Sequence, residues 1–249
     1  MLVCLAETHI VDADAFDQYY IPGYKVAFCL SHSRHTGGVA IYAKESVKFN
    51  IRSNESVENN WFLGISVERG MTIGNFGVVY HSPSSSNQRF LEILDDWWEH
   101  FVDLNKLNMI AGDFNIDWLI GSNSNQLKQL ADFFNLKQTV SQFTRISRNS
   151  RTLIDHVFSN FDKVHSLTEA DSKITDHETI FIFVENDQNR DDKVKIKCWN
   201  KYSKHAMSQL ISRSLDFHPI TGSLNDKAAV LTNTLKECTN TLVLKSVLI

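Results

Sequence analysis

Hydrophobic and polar positions along the chain follow two periods, and the switches between them mark its elements. Short apolar or alternating runs read as strands at 2–6, 24–30, 39–43, 49–52, 62–67 and 71–80, with Arg69-Gly70 as a hairpin turn between the last two. Residues 12–20 are polar and aromatic and read as a short helix, closed by Pro22-Gly23. From Phe90 the period lengthens. Phe90, Ile93, Leu94, Trp97, Trp98, Phe101 and Val102 recur at helical spacing and make one wide apolar face. The Ser82-Pro-Ser-Ser-Ser-Asn string ahead of it supplies a loop and an N-cap. Both tryptophans lie on that face and are expected in the core. Met109-Ile110-Ala111 reads as a buried strand, and Leu127, Leu130, Ala131 and Phe134 mark a second helix. Residues 154–158 and 180–184 read as late strands. Strands and helices that interleave in this way predict an α/β fold with sheets covered by helices.

The pattern stops at 185–197, a polar and charged stretch without apolar periodicity, and a domain boundary is expected there. Beyond it, 202–217 and 223–245 read as amphipathic helices. Charge divides at the same place. Residues 1–184 carry 15 Lys+Arg against 22 Asp+Glu, whereas 185–249 carry 10 against 7. An acidic domain of this kind is not a generic polyanion binder; it would meet nucleic acid through local basic patches and metal ions. Cys4, Cys29, Cys198 and Cys238 show no C-x-x-C pairing and read as reduced thiols of an intracellular protein. No apolar run approaches the roughly 18 residues of a membrane span. The first residues lack the basic start of a signal peptide, and no obligate protein partner is indicated.

The candidate chemistry centres on 107–117, Leu-Asn-Met-Ile-Ala-Gly-Asp-Phe-Asn-Ile-Asp. Gly112 breaks the apolar run, and Asp113 and Asn115 follow two residues apart. If the backbone stays extended, both project from one face at the strand's end, where ligands of open α/β folds tend to bind. The same residues also favour an Asx-type turn. A carboxylate binds a divalent cation or takes a proton from water, and an amide holds a phosphate oxygen without adding charge. Other polar residues sit at strand ends. Glu7 closes the first strand, Tyr80 ends another, Asp155 opens a late one, and Asp176-His177 precedes the last. Taken singly, each also fits a solvated terminus, a half-buried aromatic, a cap or a polar turn.

Taken in order, the strings resemble a known family. They are Leu5-Ala-Glu-Thr-His, Gly37-Gly-Val-Ala-Ile-Tyr, Val79-Tyr-His-Ser-Pro-Ser-Ser, Ile110-Ala-Gly-Asp-Phe-Asn, Thr144-Arg-Ile with Arg151-Thr-Leu-Ile-Asp-His-Val-Phe-Ser-Asn, and Thr175-Asp-His. The ordered set, over residues 1 to 184, resembles the endonuclease/exonuclease/phosphatase superfamily of AP endonucleases and DNase I. The Thr-Arg and Leu-Ile-Asp strings resemble the endonuclease domains of non-LTR (LINE-type) retrotransposons in particular. That resemblance implies two mixed β-sheets packed face to face with flanking helices, a four-layer DNase I-like sandwich, in 1–184. Residues 185–249 would then be a connector leading to a reverse transcriptase.

The implied activity is Mg²⁺-dependent phosphodiester hydrolysis, with Mn²⁺ as a possible substitute and DNA, met in the nucleus, as partner. By the same resemblance Glu7 is a metal ligand, Asp113 deprotonates the attacking water, and Asn115 holds a phosphate oxygen. Tyr80 sits against the scissile phosphate or leaving oxygen, His177 stabilises the pentacovalent phosphate, and Asp155 orients its ring. Asp176 serves the metal or the water. Arg145, Arg148 and Arg151 form a local basic loop that suits the DNA backbone and fits a solvated loop equally well. The superfamily pattern normally begins with a strand ending in Asn and then a helix, roughly 20–30 residues by typical element lengths. This chain opens on the Glu strand, so a missing first strand and helix, and an exposed sheet edge, are expected. Two other readings stay open: a catalytically silent relic with weak nucleic-acid binding, and a phosphatase of the same superfamily.

Overall fold

A computed structural model describes residues 1–69, 72–169 and 175–185, and Met1–Glu185 form one compact unit. The turn expected at Gly70 and the helices expected at 202–217 and 223–245 lie outside the described residues.

The strands are β1 (Leu2–Ala6), β2 (Tyr24–Cys29), β3 (Val39–Lys44), β4 (Lys48–Val57), β5 (Asn60–Arg69), β6 (Thr72–His81), β7 (Leu107–Asp113), β8 (Lys137–Gln138), β9 (Arg145–Ile146), β10 (Arg151–Thr152), β11 (Asp155–Ser159), β12 (Val164–Glu169) and β13 (Thr179–Val184). Helix α1 (Asn87–Phe101) joins β6 to β7, and α2 (Ser122–Phe133) follows β7. Six strands form the large sheet in the order β4-β5-β6-β7-β11-β8. Within it β6 and β7 are parallel, as a helical crossover between them requires. The opposing layer holds a three-stranded sheet, β1-β3-β2, and a separate hairpin of β12 and β13.

Alternation along β5 and β6 explains why this sheet is buried on both faces. Trp61, Leu63, Ile65, Val67, Val78 and Tyr80 meet Ala27, Cys29, Val39, Ile41 and Ala43 of the small sheet. Residues of opposite parity, Phe62 and Val79, join Ile110 and Phe158 beneath α1 and α2. The α1 face is the one its spacing predicts: Phe90, Ile93, Leu94, Trp97, Trp98 and Phe101 are all buried. Ser86 caps it, its side chain accepting from the Arg89 amide. On the far side of the small sheet, residues 12–20 form a 3₁₀ helix, Ala13–Tyr19, instead of an α-helix. Asp12 caps it by accepting from Asp14, and the Tyr42 hydroxyl donates to the Tyr19 carbonyl. The fourth layer is therefore thin. β1 lies at the edge of its sheet, as expected, with Leu5 42% exposed.

Two spans differ from the sequence reading. β4 runs on through the polar residues 53–56 to Val57, because β5 pairs with it as far as Val57 opposite Asn60. Glu58 and Asn59 close that hairpin with φ of 49° and 60°, the left-handed pair a two-residue turn requires. β12, Val-His-Ser-Leu-Thr-Glu, has too little apolar character to read as a strand. It becomes one by pairing with β13 over its whole length.

Trp97 carries much of the helix–sheet contact. It stacks on Phe101 at 4.5 Å, packs against Phe62 at 5.3 Å, and donates from Nε1 to Ser53 Oγ at 2.9 Å. Trp97→Ala is expected to cost about 3–5 kcal/mol, measured by urea unfolding. A midpoint unchanged from the parent would mean that this face does not hold the helix down.

Candidate active site

β7 runs between β6 and β11, and its register aligns the site. Asp113 is opposite Tyr80 on one side and opposite Asp155 on the other. Cross-strand partners share a face and lie within side-chain reach. Tyr80, Asp113 and Asp155 therefore form one row, on the face that looks into the layer between the sheets. Gly112 makes the register possible. Its φ is +149°, and a Cβ there would lie 1.9 Å from the Val79 carbonyl oxygen.

Asp113 is 6% exposed. Burial, and next the Asp155 charge, push its carboxyl up to about 7. Its Oδ1 accepts from the Asn115 amide and its Oδ2 from Asn115 Nδ2, each at 3.0 Å. Asn115 has φ of 47°, so the extended placement on one face is replaced by the Asx-type turn. The physical reason is that the strand ends at Asp113 and the turn folds Asn115 back beside it. Asn115 Nδ2 also donates to the His81 carbonyl at 2.8 Å. Both contacts of Nδ2 are thus within the protein, and they brace Asp113 from the turn.

Asp155 has two supports. The buried Thr144 hydroxyl accepts its amide at 3.0 Å and that of Ile154 at 3.2 Å. Both Asp155 carboxylate oxygens lie 2.9–3.0 Å from His177 Nδ1. That bond holds the imidazole's proton more firmly than usual and raises its pKa, and it orients the ring. Ligand atoms of Asp113, Asp155 and His177 all lie within 4.8 Å of one another.

Glu7 follows β1 with φ of 53°, an unusual conformation for a non-glycine residue. Its carboxylate accepts the Tyr80 hydroxyl. Burial, and then this bond, raise the Tyr80 pKa, so the phenol stays protonated. Tyr80 is kept in place by Trp61, whose ring lies 5.6 Å away. Gly37 lets the chain pass over that ring, where a Cβ would approach to 2.1 Å.

Asp176 is placed differently from the expectation of a metal or water residue. Its Oδ2 accepts Arg145 Nε at 2.8 Å, and the guanidinium holds the carboxyl below its ordinary range. Arg148 and Arg151 are exposed on the β9–β10 hairpin, which the Ser147–Ser150 bonds close. Sequence reasoning missed Thr144 and His81 as supports. The Thr-Arg string singled Thr144 out without giving its task, and nothing local marks the His81 carbonyl.

The donor set fits a divalent cation. Burial holds the Asp113 carboxyl neutral up to about 7, and the Asp155 and Glu7 charges add to the cost of ionising it. A hard dication among carboxylate oxygens removes that cost. Two packed sheets with an acid row, a tyrosine and an Asp–His pair at one end define a DNase I-like phosphoesterase fold. The chain belongs to the Endonuclease/Exonuclease/phosphatase family, whose model matches residues 2–177.

Solved structures agree on the fold. The endonuclease domain of TRAS1, a telomere-specific non-LTR retrotransposon, is 15% identical with a TM-score of 0.54, over 68% of this chain and 84% of that one. D. rerio TDP2 complexed with a single-strand DNA product is 13% identical with a TM-score of 0.55, over 74% and 86%. An AP endonuclease from Archaeoglobus fulgidus is 16% identical with a TM-score of 0.51, over 74% and 89%. No curated protein matches the chain.

The raised Asp113 pKa has a consequence for stability. Its folded value, about 7, lies above the ordinary 3.8. Its contribution is therefore fully present below about 3.8 and is lost as pH rises through 7. In chelator, the melting temperature of Asp113→Asn should gain on the parent between pH 4 and 7 and level off above. Mg²⁺ should narrow that gap. A difference independent of pH would show that the carboxyl is not held neutral.

Proposed function

We propose that the domain is a Mg²⁺-dependent DNA endonuclease of the retrotransposon type, which nicks one strand of duplex DNA by water attack on a phosphodiester. The observation that carries this reading is the Tyr80–Asp113–Asp155 row with Glu7 at one end and His177 at the other. Such a row would supply a cation site, a base and an acid side by side.

Glu7, with Asp113 or Asp155 beside it, would hold the ion. Bound there, Mg²⁺ or Mn²⁺ would withdraw charge from the phosphate and so lower the barrier to an anionic nucleophile. Asp113 is placed to take the proton of the attacking water once its own proton has gone. Asn115 and the His81 carbonyl hold Asp113 in place. His177, whose hold on its proton Asp155 strengthens, would place an N–H, and positive charge when protonated, against the phosphate oxygens as charge builds. Tyr80, protonated throughout, donates to the Glu7 carboxylate and orients it.

Arg148 and Arg151 would contact the DNA backbone from the exposed hairpin. The thrift of basic residues elsewhere in an acidic domain favours such a local contact. In a polyprotein, residues 185–249 would connect the nuclease to a reverse transcriptase, and the site of action would be the nucleus.

Supercoiled plasmid tests this reading. Mg²⁺ should support nicking and chelator should abolish it. Asp113→Asn and His177→Ala should each lower the rate by about 10²–10⁴-fold, with a combined loss far below the product of the two. Phosphate release from lipid headgroups without plasmid nicking would assign the site to a phosphatase. DNA binding with neither activity would mark a silent relic.

A further inference from the structure

We propose that Asp176 and Arg145 form one phosphate-binding arm: Asp176 fixes the guanidinium beside His177, and the terminal amines of Arg145 take a non-bridging oxygen of the scissile phosphodiester. This rests on the phosphodiesterase reading and assigns Asp176 a task other than metal binding.

The backbone places Arg145 directly across from His177. The two are bridged in antiparallel fashion, flanked by the Ile146 amide on the Asp176 carbonyl at 2.9 Å and the Glu178 amide on the Thr144 carbonyl at 2.7 Å. Opposed residues of such a pair have Cβ atoms about 4.5–5.5 Å apart on a common face. Arg145 therefore shares the face of His177, which itself reaches Asp155 and, across the sheet, Asp113.

Its position is anchored from below as well. Thr144, the residue before it, is wholly buried and holds the amides that begin β11. The Thr-Arg dipeptide thus pins the Asp155 strand with one residue and presents a cation with the next. Side-chain contact then fixes direction. Asp176 Oδ2 takes Arg145 Nε at 2.8 Å, and the terminal amines have no partner among the described residues.

The pair is 43% and 44% exposed in its side chains, and exposed ion pairs contribute little to stability. What the contact does achieve is orientation. A planar guanidinium held by one edge presents its other amines in a fixed fork, which matches phosphate oxygens as a lysine ammonium does not. Asp176, turned to Arg145, stands outside the cluster of Asp113, Asp155 and His177 whose ligand atoms converge.

Plasmid nicking by Arg145→Ala, Arg145→Lys, Asp176→Asn and the Arg145→Ala/Asp176→Asn double variant tests the arm, together with titration of Mn²⁺ alone by electron paramagnetic resonance. Arg145→Ala should lower kcat by about 10²–10³-fold with KM nearly unchanged, and Arg145→Lys should recover little of it. Asp176→Asn should lower kcat less, bind Mn²⁺ as the parent does, and add nothing to the loss in the double variant. Weaker Mn²⁺ binding by Asp176→Asn, about tenfold or more, would make Asp176 a metal ligand and overturn the proposal. So would a rise in KM alone for Arg145→Ala, the mark of a distant backbone contact. If the parent nicks nothing, the nuclease reading has failed and the arm is judged on inorganic phosphate with Mn²⁺ present, by calorimetry. Binding that Arg145→Ala abolishes and Asp176→Asn weakens supports it; no binding by the parent, or equal binding by Arg145→Ala, overturns it.

Discussion

The constraint on which the site depends is the register of β7 against its two neighbours. A parallel ladder to β6 and an antiparallel one to β11 place Asp113 opposite Tyr80 and Asp155 at once. A slip of one residue would turn Asp113 to the helix side, where Ile110, Phe114 and Phe158 pack, and bury an unpaired carboxylate there. The apolar alternation of β7 thus enforces the geometry of the site as a by-product of core packing. Gly112 belongs to the same constraint, since only a residue without Cβ allows the approach to Val79.

Electrostatics set the second condition. The row concentrates carboxylates in a place poor in water, and the protein offsets this only in part. His177 answers Asp155 and Arg145 answers Asp176, but among the described residues no cation is hydrogen-bonded to Asp113, which keeps its proton to about neutrality. The surrounding supports are neutral: the Thr144 hydroxyl, the Asn115 amide and the His81 carbonyl. Such groups fix position without cancelling charge. On the proposed reading an ion and a substrate would satisfy what is left, so that an arrangement costly to the free protein would be useful to it.

The two rims are built differently. On one side Glu7 and Tyr80 meet across the two sheets, held by a strained backbone and a buried indole. On the other, short strands β9 and β10 present arginines from a hairpin that has little apolar content. Tyr80 at the first rim belongs to the core between the sheets, and it holds the exposed Glu7 by their hydrogen bond. The second owes its position to a few backbone bonds and to Thr144.

The sequence alone determined the elements that bury a face. Periodicity located α1 and its tryptophans, the long strands of the large sheet, and the acid that follows Gly112, because each apolar residue there has one side on which it can be buried. The ordered strings also identified the family and the residues that gather. Tertiary structure decided what has no local signal. β12 and the tail of β4 are polar and become strands only because a partner supplies the ladder. Residues 13–19 form a 3₁₀ helix whose C-terminal end packs against Tyr42. Asn115 and Asp176 carry the same chemistry whichever way they point, and their directions follow from neighbours distant in the chain, His81 for one and Arg145 for the other. Residue type states what a side chain can do; only the fold, through register and contact, states which partner it does it with.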